Sequence, residues 1–261
     1  MNVMHVTPAT WRCPRKRGTT MPDLLDRILQ WVFPTDCTAC GRPAAERRLP
    51  FFCRGCWETI RPIEGPVCPR CGRPFDSPLA LLSSPGHLCG PCRKKPPTFD
   101  LALTPYRYEG ILEQAIHLFK YRRRDALATP LTDLMLAWAD KLPSISLVMP
   151  VPLHPSRLRS REFNQALLLA DRIADRLGLP LSFEHLVRVR ATRPQTELDR
   201  KERARNVRRA FAVREPAGLA GQRVLLVDDV LTTGATVNEC ARVLRRTGVE
   251  SVTVLTLARR V

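Results

Sequence analysis

Eight of the ten cysteines in this 261-residue chain stand in four C-x-x-C pairs: Cys37/Cys40, Cys53/Cys56, Cys68/Cys71 and Cys89/Cys92. Two thiolates three positions apart on a tight knuckle can face one ion, and a tetrahedral zinc completes its shell from a second knuckle. Taken in sequence order, the first two pairs make one four-cysteine site and the last two another, so two structural zinc ions are expected. Spacing alone leaves an interleaved pairing open. Gly41, Gly72 and the Gly90-Pro91 step accompany three of the pairs, and glycine lets backbone amides approach the sulfurs. A disulfide framework is disfavoured in a chain without a secretory signal, because the cytosol keeps thiols reduced. A redox motif would need one pair at a helix start, not four pairs in succession. Cys13 and Cys240 stand alone, and Cys240 lies in an amphipathic helical pattern as a small core residue.

The second constellation is Asp228-Asp229-Val230-Leu231-Thr232-Thr233-Gly234-Ala235-Thr236, which follows the apolar run Val224 to Val227. A small, hydroxyl-rich turn that opens a helix offers backbone N–H groups, threonine hydroxyls and a partial positive charge, which together cradle a phosphate. The carboxylates repel phosphate and suit sugar hydroxyls or a metal-bound polyphosphate. A site that takes both a diol and a phosphate takes a ribose 5-phosphate. Neither a P-loop nor a G-x-G-x-x-G fingerprint occurs, so the common nucleotide-binding alternatives are set aside.

The elements that must position these groups alternate between strand and helix. A β-like run covers Leu103 to Tyr108, and a helix from about Glu109 to Tyr121 carries Ile111, Leu112, Ala115, Ile116 and Phe119 on one face. A second helix is expected over Pro130 to Lys141, with Thr129 as its N-cap. The strand Ile145 to Val151, a turn, and a helix from Asn164 to Leu177 ending at Gly178 follow. Strands at Val224 to Val227 and Ser251 to Leu257 flank a helix from Thr236 to Arg246. This βαβ order predicts an α/β fold with a parallel sheet and right-handed crossovers, whose ligands bind at the carboxyl ends of the strands. The expected organisation is a leader over 1–20, a double zinc ribbon over 21–95 and an α/β domain over 96–261, with the linker at Pro96-Pro97-Thr98-Phe99.

Val224 to Thr236 resembles the 5-phosphoribosyl-1-pyrophosphate (PRPP) motif of type I phosphoribosyltransferases. Phe119-Lys120-Tyr121, Val151-Pro152-Leu153-His154-Pro155, Phe163-Asn164-Gln165-Ala166 and Arg193-Pro194-Gln195-Thr196, behind the cysteine pairs, make the chain from about residue 21 similar to the ComF family. The resemblance implies a type I phosphoribosyltransferase-like domain behind a double zinc ribbon and a link to natural competence, in which DNA enters as a single strand. It implies that Asp228 and Asp229 hold the ribose hydroxyls and Thr232, Thr233, Gly234, Ala235 and Thr236 the 5-phosphate. The loop after Val151 would lie near the pyrophosphate, and Arg193 to Arg209 would form the mobile loop over the site.

Lys and Arg number 42 against 25 Asp and Glu, a formal net charge of +17, which favours anionic partners. Lys120, Arg157, Arg161, Arg193 and Arg203, drawn from three basic runs, are the candidates to neutralise pyrophosphate or nucleic-acid phosphates. Phe, Tyr and Trp make up 6% of the chain, few for a single-strand groove, which combines cationic tracks with stacking bases. No apolar stretch is long enough to span a membrane, and the expected location is the cytoplasm. Two classes of function follow. One is a phosphoribosyltransferase acting on PRPP with Mg²⁺, linked to incoming single-stranded DNA. The other is a non-catalytic PRPP- or nucleotide-sensing or DNA-binding module that docks a competence helicase or another DNA-processing partner through its ribbons.

Overall fold

The structure, a computed structural model, describes residues 36–44, 46, 48–75, 77, 84, 86–121, 125–161, 163–192 and 199–260. The expected leader, Arg193 and the side chain of Arg161 lie outside the described residues. In chain order the elements are α1 (Arg54–Trp57), α2 (Gly90–Lys94), β1 (Leu101–Leu103), β2 (Tyr106–Arg107), α3 (Gly110–Tyr121), α4 (Ala128–Leu136), β3 (Leu147–Pro150), α5 (Pro155–Arg161), α6 (Gln165–Leu177), β4 (Leu186–Arg188), α7 (Arg200–Val207), β5 (Phe211–Val213), β6 (Arg223–Leu231), α8 (Ala235–Arg245) and β7 (Ser251–Arg259).

The main sheet is parallel at every pairing, in the order β1-β7-β6-β3, with β2 continuing the β1 edge against β7. Its strands are apolar on both sides, as a sheet covered on two faces requires. Alternation along β6 sends Leu225 and Val227 to a core shared with α3, α4 and α6, and Val224 and Leu226 to a core shared with α8. The same period-2 division runs through β7, with Leu255 and Leu257 on the first face and Val252 and Val254 on the second.

Several boundaries differ from the sequence expectation. The helix expected from Pro130 begins at Ala128 and ends at Leu136, because a short 3₁₀ turn, Asp125–Leu127, runs into it. Pro130 then sits in the first turn, where the missing N–H has no intrahelical acceptor to lose. Strand β6 does not stop at Val227 but runs to Leu231, because β7 pairs with it along its whole length. The run from Leu103 is broken at Thr104-Pro105 into β1 and β2. Within the expected loop from Arg193 to Arg209, residues Arg200–Val207 form α7, although they have no apolar stripe. A capping box holds its start, with Asp199 accepting from the Glu202 N–H and Glu202 from the Asp199 N–H.

The two cysteine-rich segments repeat one design. Cys37-Thr38-Ala39-Cys40-Gly41-Arg42-Pro43 and Cys68-Pro69-Arg70-Cys71-Gly72-Arg73-Pro74 share the pattern C-x-x-C-G-R-P. In each, the first cysteine's N–H donates to the arginine carbonyl at 2.7 Å and the glycine N–H donates to the first cysteine's carbonyl at 2.8 Å. The second half of each ribbon is a short helix that starts directly after a cysteine at its N-cap position, Cys53 for α1 and Cys89 for α2.

The ribbons are built into the α/β unit: from Asp36 on, the chain forms one compact body. Phe52, Cys37 and Ala44 of the first ribbon join the core beneath α3. The second ribbon is stitched to the sheet edge, where the Ala102 N–H donates to the Arg70 carbonyl at 3.0 Å and Arg259 Nη1 to the Cys71 carbonyl at 2.6 Å. Gly41 and Gly72 both have φ near +70°, but only Gly72 is also crowded, since a Cβ there would stand 2.7 Å from the Ala102 carbonyl oxygen. Gly41→Ala should cost about 1–2 kcal/mol for the left-handed backbone. Gly72→Ala should cost clearly more, because β1 must also move away. Urea unfolding of the two variants checks this, and equal midpoints would mean that the second knuckle does not bear on the sheet.

Candidate functional site

The cysteines meet as two tetrads, Cys37/Cys40/Cys53/Cys56 and Cys68/Cys71/Cys89/Cys92, with all sulfurs of a tetrad within 4.8 Å of one another. This is the sequence-order pairing, and the described cysteines are free thiols. Zn–S bonds of about 2.3 Å place tetrahedral sulfurs about 3.8 Å apart. The Cys40–Cys53 and Cys71–Cys89 sulfur separations are 3.7 and 3.6 Å, so both tetrads fit zinc. Arg42 Nε donates to Cys40 Sγ at 3.4 Å, and this contact, with further donation from the Arg42 backbone, pulls the Cys40 thiol down to about 6. A thiolate is the ligand form, so the arginine favours loading.

The acidic pair lies where β3 has ended and β6 continues. The last pairing of β3 is Pro150 with Val227, after which the Val151 N–H donates to the Val227 carbonyl. Beyond that point Asp228 and Asp229 line a cavity of about 640 Å³. Continuing the alternation of β6, Asp229 points to the α3 face, where Lys120 Nζ lies 2.6 Å from its Oδ2. Both side chains are mostly buried, 18% and 13% exposed, and the carboxylate outweighs the burial cost to raise the lysine pKa. Asp228 points to the α8 face and makes no comparable ion pair among the described residues. Its burial, together with the charge of Asp229, pushes its carboxyl up to about 7. The two acids therefore differ: Asp229 is paired with a lysine, whereas Asp228 titrates near neutrality.

Three sequence motifs converge on this wall. Asn164 caps α6 by accepting from the Ala166 N–H and donates from Nδ2 to the Val151 carbonyl, which fixes the loop after β3. Gln165, only 2% exposed, donates to the Lys120 carbonyl at the end of α3. Phe119 and Phe163 pack with ring centroids 5.9 Å apart. Val151, Pro152, Leu153, Asn164 and Gln165 all line the cavity. The opposite side is the turn after β6. Gly234 takes φ +76° as the N-cap of α8, which has no side-chain cap, and the Ala235 N–H reaches only Thr233 Oγ1 at 3.3 Å. Thr232, Gly234, Ala235 and Thr236 line this cavity, and Thr233 lines a neighbouring one.

Of the basic candidates, Lys120, Arg157 and Arg203 line the cavity. The structure adds Arg188, which is not among the basic candidates read from the sequence. Arg188 is 8% exposed and stacks 5.3 Å from the Phe211 ring; burial, then the nearby Arg157, push its pKa down. Its Nη2 donates to Thr192 Oγ1, and Arg157 Nη2 donates to the Thr192 carbonyl at 3.1 Å. The alternation Leu186-Val187-Arg188 placed an arginine in step with a core leucine, and that was the available signal. Together these groups place anion-binding cations, carboxylates that accept from hydroxyls and the start of α8 around one hollow.

Residues 28–93 match the double zinc ribbon domain and residues 164–261 the phosphoribosyl transferase domain. The chain is 34% identical over 232 residues to "DNA utilization protein YhgH" of Salmonella typhi, covering 87% of this chain and 97% of that protein. "Competence protein F" of Haemophilus influenzae is 34% identical over 217 residues, covering 80% and 90%. "Competence protein ComFC" of Bacillus subtilis is 27% identical over 216 residues, covering 79% and 83%. With both domains matched and nearly the whole length of these relatives aligned, the chain belongs to the ComF family, a double zinc ribbon joined to a type I phosphoribosyltransferase fold.

Proposed function

We propose that the protein binds PRPP with Mg²⁺ in the cavity at the ends of β3 and β6 and acts as a phosphoribosyltransferase. The observation that carries this is the division of one cavity wall into an acidic strand end and the N-terminus of α8, whose N-cap is Gly234, faced by Lys120, Arg157 and Arg188. The amides and hydroxyls of Thr232 to Thr236 receive the 5-phosphate, Asp228 and Asp229 accept the ribose hydroxyls, and the cations lie toward the pyrophosphate. As pyrophosphate leaves, positive charge grows on the sugar, and the carboxylates stabilise it from a partly dry wall. The names of the relatives support a place in natural competence and the handling of incoming single-stranded DNA, with the basic surface as the contact. That contact should weaken steeply with salt.

Calorimetric titration with Mg²⁺-PRPP tests the binding, and pyrophosphate release over a panel of nucleobases tests transfer. Affinity is expected to rise as pH goes from about 6 to 8, because a carboxyl displaced upward to about 7 accepts from a hydroxyl more strongly once it ionises. Absence of PRPP binding at pH 8 would remove the proposal. Binding without pyrophosphate release from any base would leave a sensor rather than a transferase.

A further inference from the structure

A second cavity, of about 570 Å³, lies on the other side of the same turn, between the second zinc ribbon and α8. Among the described residues four cations line it, Arg73, Lys94, Lys95 and Arg259, and no carboxylate does. The first cavity, by contrast, contains Glu113, Asp228 and Asp229. Its size falls within the roughly 300–1,000 Å³ typical of small-molecule sites.

The zinc tetrad accounts for only part of this charge. Four thiolates around Zn²⁺ leave a double negative charge, which two arginines balance, and Lys94 and Lys95 remain. Arg259 is 2% exposed, and its Nε has no hydrogen-bond partner among the described residues. Comparison of the two knuckles sharpens the point. In the first, Arg42 Nε is spent on the Cys40 sulfur. In the second, the equivalent Arg73 Nε is buried without a partner among the described residues, and its residue lines the cavity. A buried donor left unmatched is costly, and an arriving acceptor can recover that cost.

The rest of the wall suits a molecule with an apolar part. Pro91, Pro96, Pro97 and Phe99 form one side, and Asn238, whose Oδ1 is occupied by the Thr98 N–H, leaves its amide NH₂ group available as a donor. Thr233 and the Gly234-Ala235 start of α8 complete the anion-facing end. We infer that this cavity is a nucleotide site, taking the phosphate of a nucleoside monophosphate against the cations and its base against the proline wall. The inference does not depend on PRPP binding in the first cavity. Because Thr232, Gly234 and Ala235 line both hollows, occupancy of one should alter affinity at the other reciprocally.

The test is calorimetry of the zinc-loaded full chain with AMP, inorganic phosphate and ribose 5-phosphate, in the parent protein, Lys94→Ala/Lys95→Ala and Asp228→Asn/Asp229→Asn. Both lysines are exposed, so their removal should leave the fold intact. AMP is expected to bind the parent, to lose at least tenfold in affinity at one site in the lysine variant, and to keep that site in the aspartate variant. PRPP titration of the lysine variant reports separately on the first cavity. AMP affinity unchanged by the lysine substitutions, or AMP binding lost only with the aspartates, would overturn the inference. Inorganic phosphate binding as tightly as AMP would overturn the assignment to a nucleotide.

Discussion

Asp228→Asn is expected to weaken Mg²⁺-PRPP binding by roughly 10- to 100-fold and to make the protein more stable at pH 8. Each hydrogen bond to a charged acceptor contributes about 1.5–3 kcal/mol, which converts to that range of affinity. The stability effect has the opposite sign because this carboxyl is pushed up to about 7 by burial and by Asp229. An unfolded aspartic acid ionises near pH 4. Between the two values the unfolded state has released a proton that the native state still binds. Native stability therefore falls as pH rises through this window, and an uncharged amide removes that loss. Asp229→Asn should differ, because it strips Lys120 of a buried partner at 2.6 Å. Both affinity and melting temperature should then fall, since an unpaired buried charge is costly. Titrations and thermal melts from pH 6 to pH 8 separate the cases. If Asp228→Asn keeps the parent affinity and pH slope, this carboxylate does not face the ribose.

That difference between two adjacent aspartates shows what a sequence can and cannot carry. The strand, the doublet and the threonine turn are contiguous, and contiguous patterns are legible: Val224 to Val227 reads as a buried strand, and Gly234 has its left-handed turn. The tetrads were equally legible, because a ligand spacing of three is a local property. What spacing could not decide was the partner of each knuckle, which depends on how the chain returns.

Assignments that rest on partners from elsewhere in the chain were harder to read. Lys120 lies 109 positions before Asp229 in the chain, and nothing near either residue says that they touch. Nothing near Arg188 in the sequence says that it is buried; the pairing of β4 with β5 turns it inward beside Phe211. Helix α7 lies in the stretch that the resemblance assigns to a mobile loop, and it has no apolar stripe to announce it, although Asp199 and Glu202 spell a capping box. Strand β6 was cut short because its polar end was taken for the start of a turn. A carboxylate can occupy a strand where the neighbouring strand has already stopped and its side chain opens onto a cavity, as happens past Pro150.

Removing zinc should have a second large effect, on the whole body rather than on the ribbons alone. Structural four-cysteine sites contribute their metal affinity to folding, with apparent values of about 10–16 kcal/mol for zinc-finger peptides. Among the described residues the ribbons carry little regular structure to replace it, since their helices α1 and α2 have four and five residues. Losing the first tetrad releases Phe52, which is fully buried against the α3 core and packs 5.8 Å from Trp57. Losing the second frees the Cys71 carbonyl that accepts from Arg259, and with it the end of β7. If even a third of the metal contribution reaches the α/β unit, the loss is about 4 kcal/mol. For a body of this size that lowers the melting temperature by roughly 8–16 °C. Elemental analysis should find two zinc ions per chain. Cys40→Ser and Cys68→Ser should each retain about one, and each should melt well below the parent. A chelated protein melting at the parent temperature would mean that the α/β unit holds itself together and the ribbons are only carried along.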